Sequence, residues 1–67
     1  MSTGIVKWFS PQRGYGFIIT DDEKDVFLHK GNLVDVHYTP EQGDDVEFTI
    51  EETEKGLSAM DVEKVRY

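Results

Sequence analysis

The chain has 67 residues, no cysteine and a formal net charge of −7 at pH 7. This length supports one small hydrophobic core, and the lack of cysteine excludes a disulfide framework and a zinc site with thiolate ligands. No apolar run is long enough to span a membrane, and the N-terminus lacks the basic and apolar regions of a signal peptide. We therefore expect one cytoplasmic domain over residues 1–67, without a membrane partner.

The charges are distributed unevenly along the chain. Residues 1–20 contain no acid and two bases, Lys7 and Arg13, for a charge of +2, whereas residues 21–67 contain fourteen acids and five bases, for −9. Such asymmetry is typical of a mildly basic face opposite an acidic back. We interpret the acidic part as a solubility feature, with adaptation to high salt as an alternative.

The first three predicted strands lie in the N-terminal half. A segment rich in β-formers runs from Thr3 to Ser10 and ends before Pro11, which cannot donate to a strand ladder. A turn at residues 12–14 leads into a second strand over 15–20. The polar turn at 21–24 then leads into a third strand over 25–29, so the second and third strands should form a hairpin.

The C-terminal half predicts two further strands. Val46, Phe48 and Ile50 alternate with polar residues, as in a half-buried strand. After a turn at residues 53–56, Met60 and Val62 are expected to share one face of the last strand. Residues 30–43 are irregular, with a single helical turn predicted at 39–42. Five short strands in so short a chain favour a closed or nearly closed barrel.

Alternation places aliphatic and aromatic side chains on opposite faces of the predicted hairpin. Ile18, Val26 and Leu28 share one face, which we expect to form the core. A chain of this length cannot also cover the second face, so rings there should be exposed as a binding surface. Rings beside Lys and Arg suit the stacking of nucleic-acid bases. The second face carries Tyr15, Phe17, Asp25, Phe27 and His29.

Two glycines accompany this pattern. Gly14 and Gly16 fall on the core side of the hairpin, where a missing side chain allows a sharp bend or the close approach of another strand.

Three segments together resemble the signature of bacterial cold-shock proteins. They are Gly-Ile-Val-Lys-Trp-Phe at residues 4–9, Arg-Gly-Tyr-Gly-Phe-Ile at 13–18 and Asp-Val-Phe-Leu-His at 25–29, and the resemblance covers nearly the whole chain. It implies a five-stranded antiparallel Greek-key barrel of the oligonucleotide-binding (OB) type. It also implies a cytoplasmic RNA chaperone that binds single-stranded RNA and DNA; from the residues themselves we expect no catalysis and no cofactor.

The resemblance also implies which residues contact nucleic acid. To the matched positions we add Asp25 on the same face, Lys30 and Lys55 as phosphate-attracting cations, and Tyr38 as the match to the family's loop aromatic. The matched positions are Lys7, Trp8, Phe9, Arg13, Tyr15, Phe17, Phe27 and His29. Trp8 does not fit simple alternation with Lys7, so the resemblance also implies a local β-bulge in the first strand that turns one of them.

The chain departs from the family pattern at several positions. Lys30 stands where the family usually has an aromatic residue, so the set of stacking rings is one short. Ser10 replaces the usual Asn, and Leu57 stands where Pro is common. We expect these changes to affect affinity rather than fold.

Two alternative functions remain open on the same residues. A small barrel with an aromatic groove could dock proline-rich peptides, or the chain could be an accessory subunit of a larger assembly. His29 and His37 lack the partners that a metal site or a catalytic base requires. We therefore expect a monomer that binds pyrimidine-rich single strands, without a metal and without catalysis.

Overall fold

The computed structural model describes residues 2–65, which form a closed β-barrel. Residues 1, 66 and 67 of the expected domain lie outside the described residues. The five predicted strands are present, with one turn of 3-10 helix at Lys30–Asn32 between the third and the fourth. The strands are β1 (Ser2–Ser10), β2 (Tyr15–Thr20), β3 (Asp25–His29), β4 (Asp45–Thr53) and β5 (Gly56–Lys64).

The strand order around the barrel is β1-β2-β3-β5-β4. β1 pairs antiparallel with β2 on one side and with β4 on the other. β2 and β3 form the predicted antiparallel hairpin, and β4 and β5 form a second one. The barrel closes between β3 and β5, which run parallel where Phe27 lies opposite Ser58.

The core lies inside this barrel and is almost entirely aliphatic. The inward positions predicted for β2, β3 and β4 are confirmed: Ile50 is half-buried and packs against the core, and the others are fully buried, namely Ile18, Val26, Leu28, Val46 and Phe48. The remaining buried hydrophobic residues of the described chain come from β1 and β5. They are Val6, Ala59 and Val62.

The prediction that Met60 and Val62 share a face of β5 was wrong. Val62 is buried, but Met60 is only half-buried, and Ala59 takes the other core position. The register with β4 shifts so that β5 contains one extra residue, and Asp61 within this bulge adopts a φ of +51°. A bulge reverses the alternation of side chains, which is why Met60 and Val62 do not share a face.

The helical turn predicted at residues 39–42 is absent. The backbone instead forms a tight turn, in which the N–H of Asp44 donates to the carbonyl of Glu41 at 3.0 Å. The Asp44 carboxylate also accepts the backbone N–H of Glu41 at 3.2 Å. Gly43, at a φ of +92°, permits this reversal, so the chain turns into β4 before a helix can form.

The two local features predicted for β1 and β2 are confirmed. A Cβ on Gly16 would lie 2.1 Å from the Trp8 carbonyl oxygen, so only glycine allows β1 and β2 to approach this closely. The register shifts between Val6 and Trp8, which places a bulge at Lys7. Within residues 2–65, no helix is long and apolar enough to span a membrane.

Candidate nucleic-acid interface

Five rings form a continuous aromatic surface on the outside of β1, β2 and β3. Ring centroids are 5.6 Å apart for Trp8 and Phe17, and 5.8 Å for Phe17 and Phe27. Tyr15 lies 5.8 Å from Trp8 and 5.9 Å from Phe27, which in turn lies 6.2 Å from His29. We refer to Trp8, Tyr15, Phe17, Phe27 and His29 as the aromatic surface.

Strand register brings these rings together. Phe17 lies opposite both Trp8 on β1 and Phe27 on β3, and Tyr15 lies opposite His29. Trp8 reaches this surface because of the bulge at Lys7, since uninterrupted alternation after the buried Val6 would turn Trp8 inward. The rings therefore share one face as a result of register and of one extra residue in β1.

The aromatic surface remains accessible to solvent. Trp8 is 38% exposed, His29 is exposed, and the other three rings are half-buried against one another. Most neighbouring rings are tilted or edge-on, with Trp8 and Phe17 at 56° and Phe17 and Phe27 at 76°. Accessible rings at these separations can accept successive bases by stacking.

The His29 ring is held in a defined orientation. Its Nδ1 accepts the backbone N–H of Gly31 at 3.0 Å, so the side chain caps the 3-10 turn that follows β3. In the neutral ring, Nε2 then carries the proton. His29 therefore offers a preoriented ring at the end of the aromatic surface. In the part of the chain that the structure describes, no group of three His, Asp or Glu residues could hold a metal ion.

Three of the expected cations lie beside the aromatic surface, and they differ in the groups that they contact. Lys7 Nζ lies 3.5 Å from an oxygen of Asp25, and both side chains are about half-exposed. Arg13 lies at the other end, where a guanidinium nitrogen is 3.5 Å from the Tyr15 hydroxyl oxygen. The stem of Lys30 packs over Gly14, beside Arg13.

A groove of about 550 Å³ joins the aromatic surface to the β4–β5 hairpin. Phe17 and Phe27 form one wall, and the hairpin residues Leu57 and Ser58 lie among those that line the rest. Asp25 and Lys55 also line this groove, so the structure brings both to the aromatic surface. Leu57 and Ser58 were not among the predicted contacts, because only the register of β5 against β3 brings them here.

Phe9 is directed differently from its neighbour Trp8. It follows Trp8 in β1, and its backbone lies against Gly16. The Phe9 side chain is half-buried and packs against the hydrophobic core. The structure thus places Phe9 beneath the aromatic surface rather than among its five rings.

Tyr38 occupies a separate pocket of about 390 Å³, lined also by Asp35, Glu47, Glu63 and Lys64. Its hydroxyl donates a 2.6 Å hydrogen bond to Asp44, and the Lys64 ammonium lies 6.0 Å from its ring centroid. Burial and the bond to Asp44 raise the pKa of Tyr38, while the same bond lowers the pKa of Asp44. The structure does not bring Tyr38 to the aromatic surface, and its contact with nucleic acid stays a prediction.

The chain is similar to several bacterial proteins along nearly its whole length. It is 47% identical over 62 residues to the cold shock-like protein CspB of Yersinia pestis, covering 90% of this chain and 89% of that protein. It is 44% identical over 62 residues to the cold shock-like protein CspJ of Salmonella typhimurium, with the same coverage. The major cold shock protein of Streptococcus pyogenes is 38% identical over 66 residues, covering 97% of this chain and 98% of that protein.

A solved structure supports the fold. The barrel superposes on drosophila Unr CSD456 with a TM-score of 0.80, covering 97% of this chain and 26% of that chain, at 23% sequence identity. The present chain thus spans about a quarter of that protein, and the likeness confirms the OB-type barrel.

The family model of the 'Cold-shock' DNA-binding domain matches residues 2–65, which include every strand of the barrel and all five rings of the aromatic surface. On this match, and on the identity with the bacterial proteins, the chain belongs to the cold-shock domain family of nucleic-acid-binding proteins.

Proposed function

We propose that this protein binds pyrimidine-rich single-stranded RNA and DNA and acts as an RNA chaperone by stacking bases on the aromatic surface. The main support for this proposal is that five rings contact one another in series across three strands, from Trp8 at one end to His29 at the other. Few rings in so small a protein would remain accessible without a partner to cover them.

Stacking accounts for both the strength and the breadth of binding. Each base stacked on a ring contributes about 1–3 kcal/mol, and every base presents a π-face, so sequence preference is weak. A strand whose bases lie on Phe17, Phe27 and His29 cannot pair with itself. Hairpins in RNA would therefore melt on binding, without hydrolysis of ATP.

The charges around the rings support binding of a polyanion despite the net charge of −7. Arg13, Lys30 and Lys55 border the aromatic surface or its groove. The ammonium of Lys7 offsets the carboxylate of Asp25, the one acid that lines the groove. The other thirteen acids all belong to the 21–24 turn, to residues 35–45 and to the β4–β5 hairpin, and none of them is among the described residues that line the groove.

A fluorescence titration tests this proposal, because Trp8 is the only tryptophan of the chain. A short oligopyrimidine should quench Trp8, whereas a duplex of equal length, whose base faces are hidden, should bind about tenfold more weakly or worse. A proline-rich peptide should have no effect. Equal affinity for the duplex would refute stacking, and quenching by the peptide alone would indicate a peptide-binding module.

Chaperone activity needs its own assay. An RNA hairpin labelled with a fluorophore and a quencher should open as protein is added, in the absence of ATP. A variant with Phe17 and Phe27 both replaced by Ala should fold but leave the hairpin closed. If the hairpin stays closed with wild-type protein that binds oligopyrimidines, binding is confirmed and the chaperone role is refuted. We place this activity in the cytoplasm, as the sequence predicts.

A further inference from the structure

We propose that Arg13 and Lys30 together bind one phosphate of the nucleic-acid strand, at the end of the aromatic surface formed by Tyr15 and His29. This inference deepens the proposed function and depends on it. It assigns a local phosphate site to two cations that lie far apart in sequence, and it gives Lys30 a positive role in place of a missing ring.

The backbone fixes Lys30 beside the turn that contains Arg13. The N–H of Lys30 donates to the carbonyl of Gly14 at 2.9 Å. A Cβ on Gly14 would lie 2.9 Å from Cδ of Lys30 and 3.2 Å from Cε, so the lysine stem packs directly over this glycine. Gly14 adopts a φ of +76°, which suits a residue without a Cβ. The glycine thus provides both the turn and the space for the lysine.

Arg13 is directed to the same end of the aromatic surface. A nitrogen of its guanidinium lies 3.5 Å from the hydroxyl oxygen of Tyr15. Tyr15 pairs with His29 across the β2–β3 ladder, and Lys30 is the residue after His29. The turn at residues 11–14 and the end of β3 therefore place two cations around one pair of rings.

Neither cation is neutralised by a carboxylate in the described structure. Over residues 2–65 the ion pairs join Lys7 to Asp25 and Lys24 to Asp22, and none involves Arg13 or Lys30. Arg13 and Lys30 are both exposed. Lys7, although it also borders the rings, is already partnered by an acid. Two positive charges without a carboxylate partner in the described structure are thus available to a phosphate at the Tyr15–His29 end, apart from Lys55 at the groove.

The chemistry of the two side chains suits a single shared phosphate. A guanidinium donates two parallel hydrogen bonds to phosphate oxygens, and an ammonium acts as a point charge beside them. A base stacked on Tyr15 or His29 would present its phosphate within reach of both. The phosphate could be an internal diester or a terminal group, and the experiment must distinguish these sources.

The test replaces the phosphates of a single-stranded ligand, one at a time, by an uncharged linkage. An oligothymidylate of about six nucleotides, within the ~4–16 that one OB fold covers, is prepared with a single methylphosphonate at each position in turn. With wild-type protein, one position should weaken binding more than the others. In the double variant R13Q/K30Q that position should lose its effect, while the other positions keep theirs. Versions with a 5′- or 3′-phosphate show whether a terminal group takes the same site.

Salt dependence provides an independent measure of whether the phosphate is shared. Losing one phosphate contact on a single strand should reduce the slope of log K against log salt by about 0.7. Because the site is shared, R13Q/K30Q should lose about 0.7 in total, rather than the ~1.4 of two separate contacts. A loss of slope near ~1.4 would show that Arg13 and Lys30 contact two different phosphates and would overturn the shared site.

Matched controls separate a local site from general charge. Lys24→Gln removes one positive charge, from a lysine already paired with Asp22, and it should leave the methylphosphonate profile unchanged. A flat profile for wild type, or a profile that R13Q/K30Q does not alter, would overturn this inference while leaving stacking intact. Absence of any binding by wild type would refute the proposed function itself.

Discussion

The hydroxyl of Tyr38 donates a 2.6 Å hydrogen bond to the carboxylate of Asp44, and this bond joins the long β3–β4 connection to the start of β4. The same carboxylate accepts the backbone N–H of Glu41. Asp44 also donates its own backbone N–H to Glu41 and accepts that of Val6 on its carbonyl. Asp44 thus adds side-chain anchoring to a connection that backbone hydrogen bonds from Val34 to Val62 and from Gly43 to Val6 also hold to the barrel.

Tyr38→Phe should lower the free energy of unfolding by about 1 kcal/mol at neutral pH. This is less than the ~1.5–3 kcal/mol of a buried charged hydrogen bond, because both groups are partly exposed. Urea unfolding measures the change, with Tyr15→Phe as a control whose hydroxyl makes only the long contact with Arg13. Equal effects of the two substitutions would contradict an anchoring role for Tyr38.

The same bond should make stability depend on pH in the acidic range. The hydrogen bond from Tyr38 lowers the pKa of Asp44 below its ordinary value of 3.8. The resulting stabilisation is present above that value and is lost as pH falls through the lower pKa of the folded state. The stability difference between wild type and Tyr38→Phe should therefore narrow below about pH 4. A constant difference from neutral to acidic pH would show that the bond does not act through the ionised carboxylate.

Neighbouring positions in β3 should separate binding from stability. Phe27→Ala should weaken single-strand binding by roughly 1–3 kcal/mol, because this ring contacts three others on the accessible face. Val26→Ala should instead cost about 2 kcal/mol of stability, because it leaves a cavity in the core. Titration of Trp8 and thermal unfolding of both variants provide the comparison. A larger loss of stability for Phe27→Ala than for Val26→Ala would invert the assignment of faces.

Two substitutions at Lys30 should have opposite effects on affinity. Lys30→Gln removes only the charge, so it should weaken binding, most strongly at low salt. Lys30→Phe removes the charge and adds a ring, and at moderate salt the stacking gain of about 1–3 kcal/mol should exceed the loss. Both should flatten the salt dependence by up to about 0.7 in slope. Dissociation constants at low and moderate salt test this. Weaker binding by Lys30→Phe at both would show that a ring cannot replace the cation here.

Glu23→Gly should stabilise the protein. Glu23 adopts a φ of +63° in the β2–β3 turn, a conformation that costs a side-chain-bearing residue about 1–2 kcal/mol. Glycine avoids this strain, but its greater conformational entropy in the unfolded chain lowers stability by about 0.5–1 kcal/mol. We therefore expect the free energy of unfolding to rise by about 0.5–1 kcal/mol. Glu54→Gly, with the same charge change in the β4–β5 turn and no positive φ, should destabilise. Loss of stability in both variants would exclude strain at Glu23.

Gly16→Ala should largely prevent folding. The added methyl group would overlap the backbone of Trp8 and Phe9, which cannot move without separating β1 from β2. We expect a cost of about 3 kcal/mol or more, comparable to the whole stability of so small a domain. Gly43→Ala is the control, because its φ of +92° causes strain but no atom lies within 4 Å of the new Cβ. Circular dichroism should show strand structure for Gly43→Ala and its loss for Gly16→Ala.

The β2–β3 hairpin and the side of it that carries the aromatic rings could be predicted from the sequence, because both depend on residues that are close together in the chain. Alternation in a strand is set by backbone geometry, so Val26 and Leu28 must oppose Phe27 wherever the strand lies. The aliphatic residues of this pattern are indeed buried. The bulge at Lys7 could be predicted only together with the family resemblance, which assigns both Lys7 and Trp8 to nucleic-acid contact and so requires alternation to fail once.

Contacts between distant segments depended on which strands meet, and no local pattern encodes this. Apolar and charged residues alternate over residues 60–63 as in an ordinary strand. The extra residue in β5 nevertheless turns Met60 out of the core. Tyr38 lies against Asp44 because a turn, rather than a helix, precedes β4. Lys30 meets the turn of Arg13 only because β2 and β3 pair in one register. Side-chain periodicity is a property of one strand, whereas register and loop packing are decided by the free energy of the whole barrel.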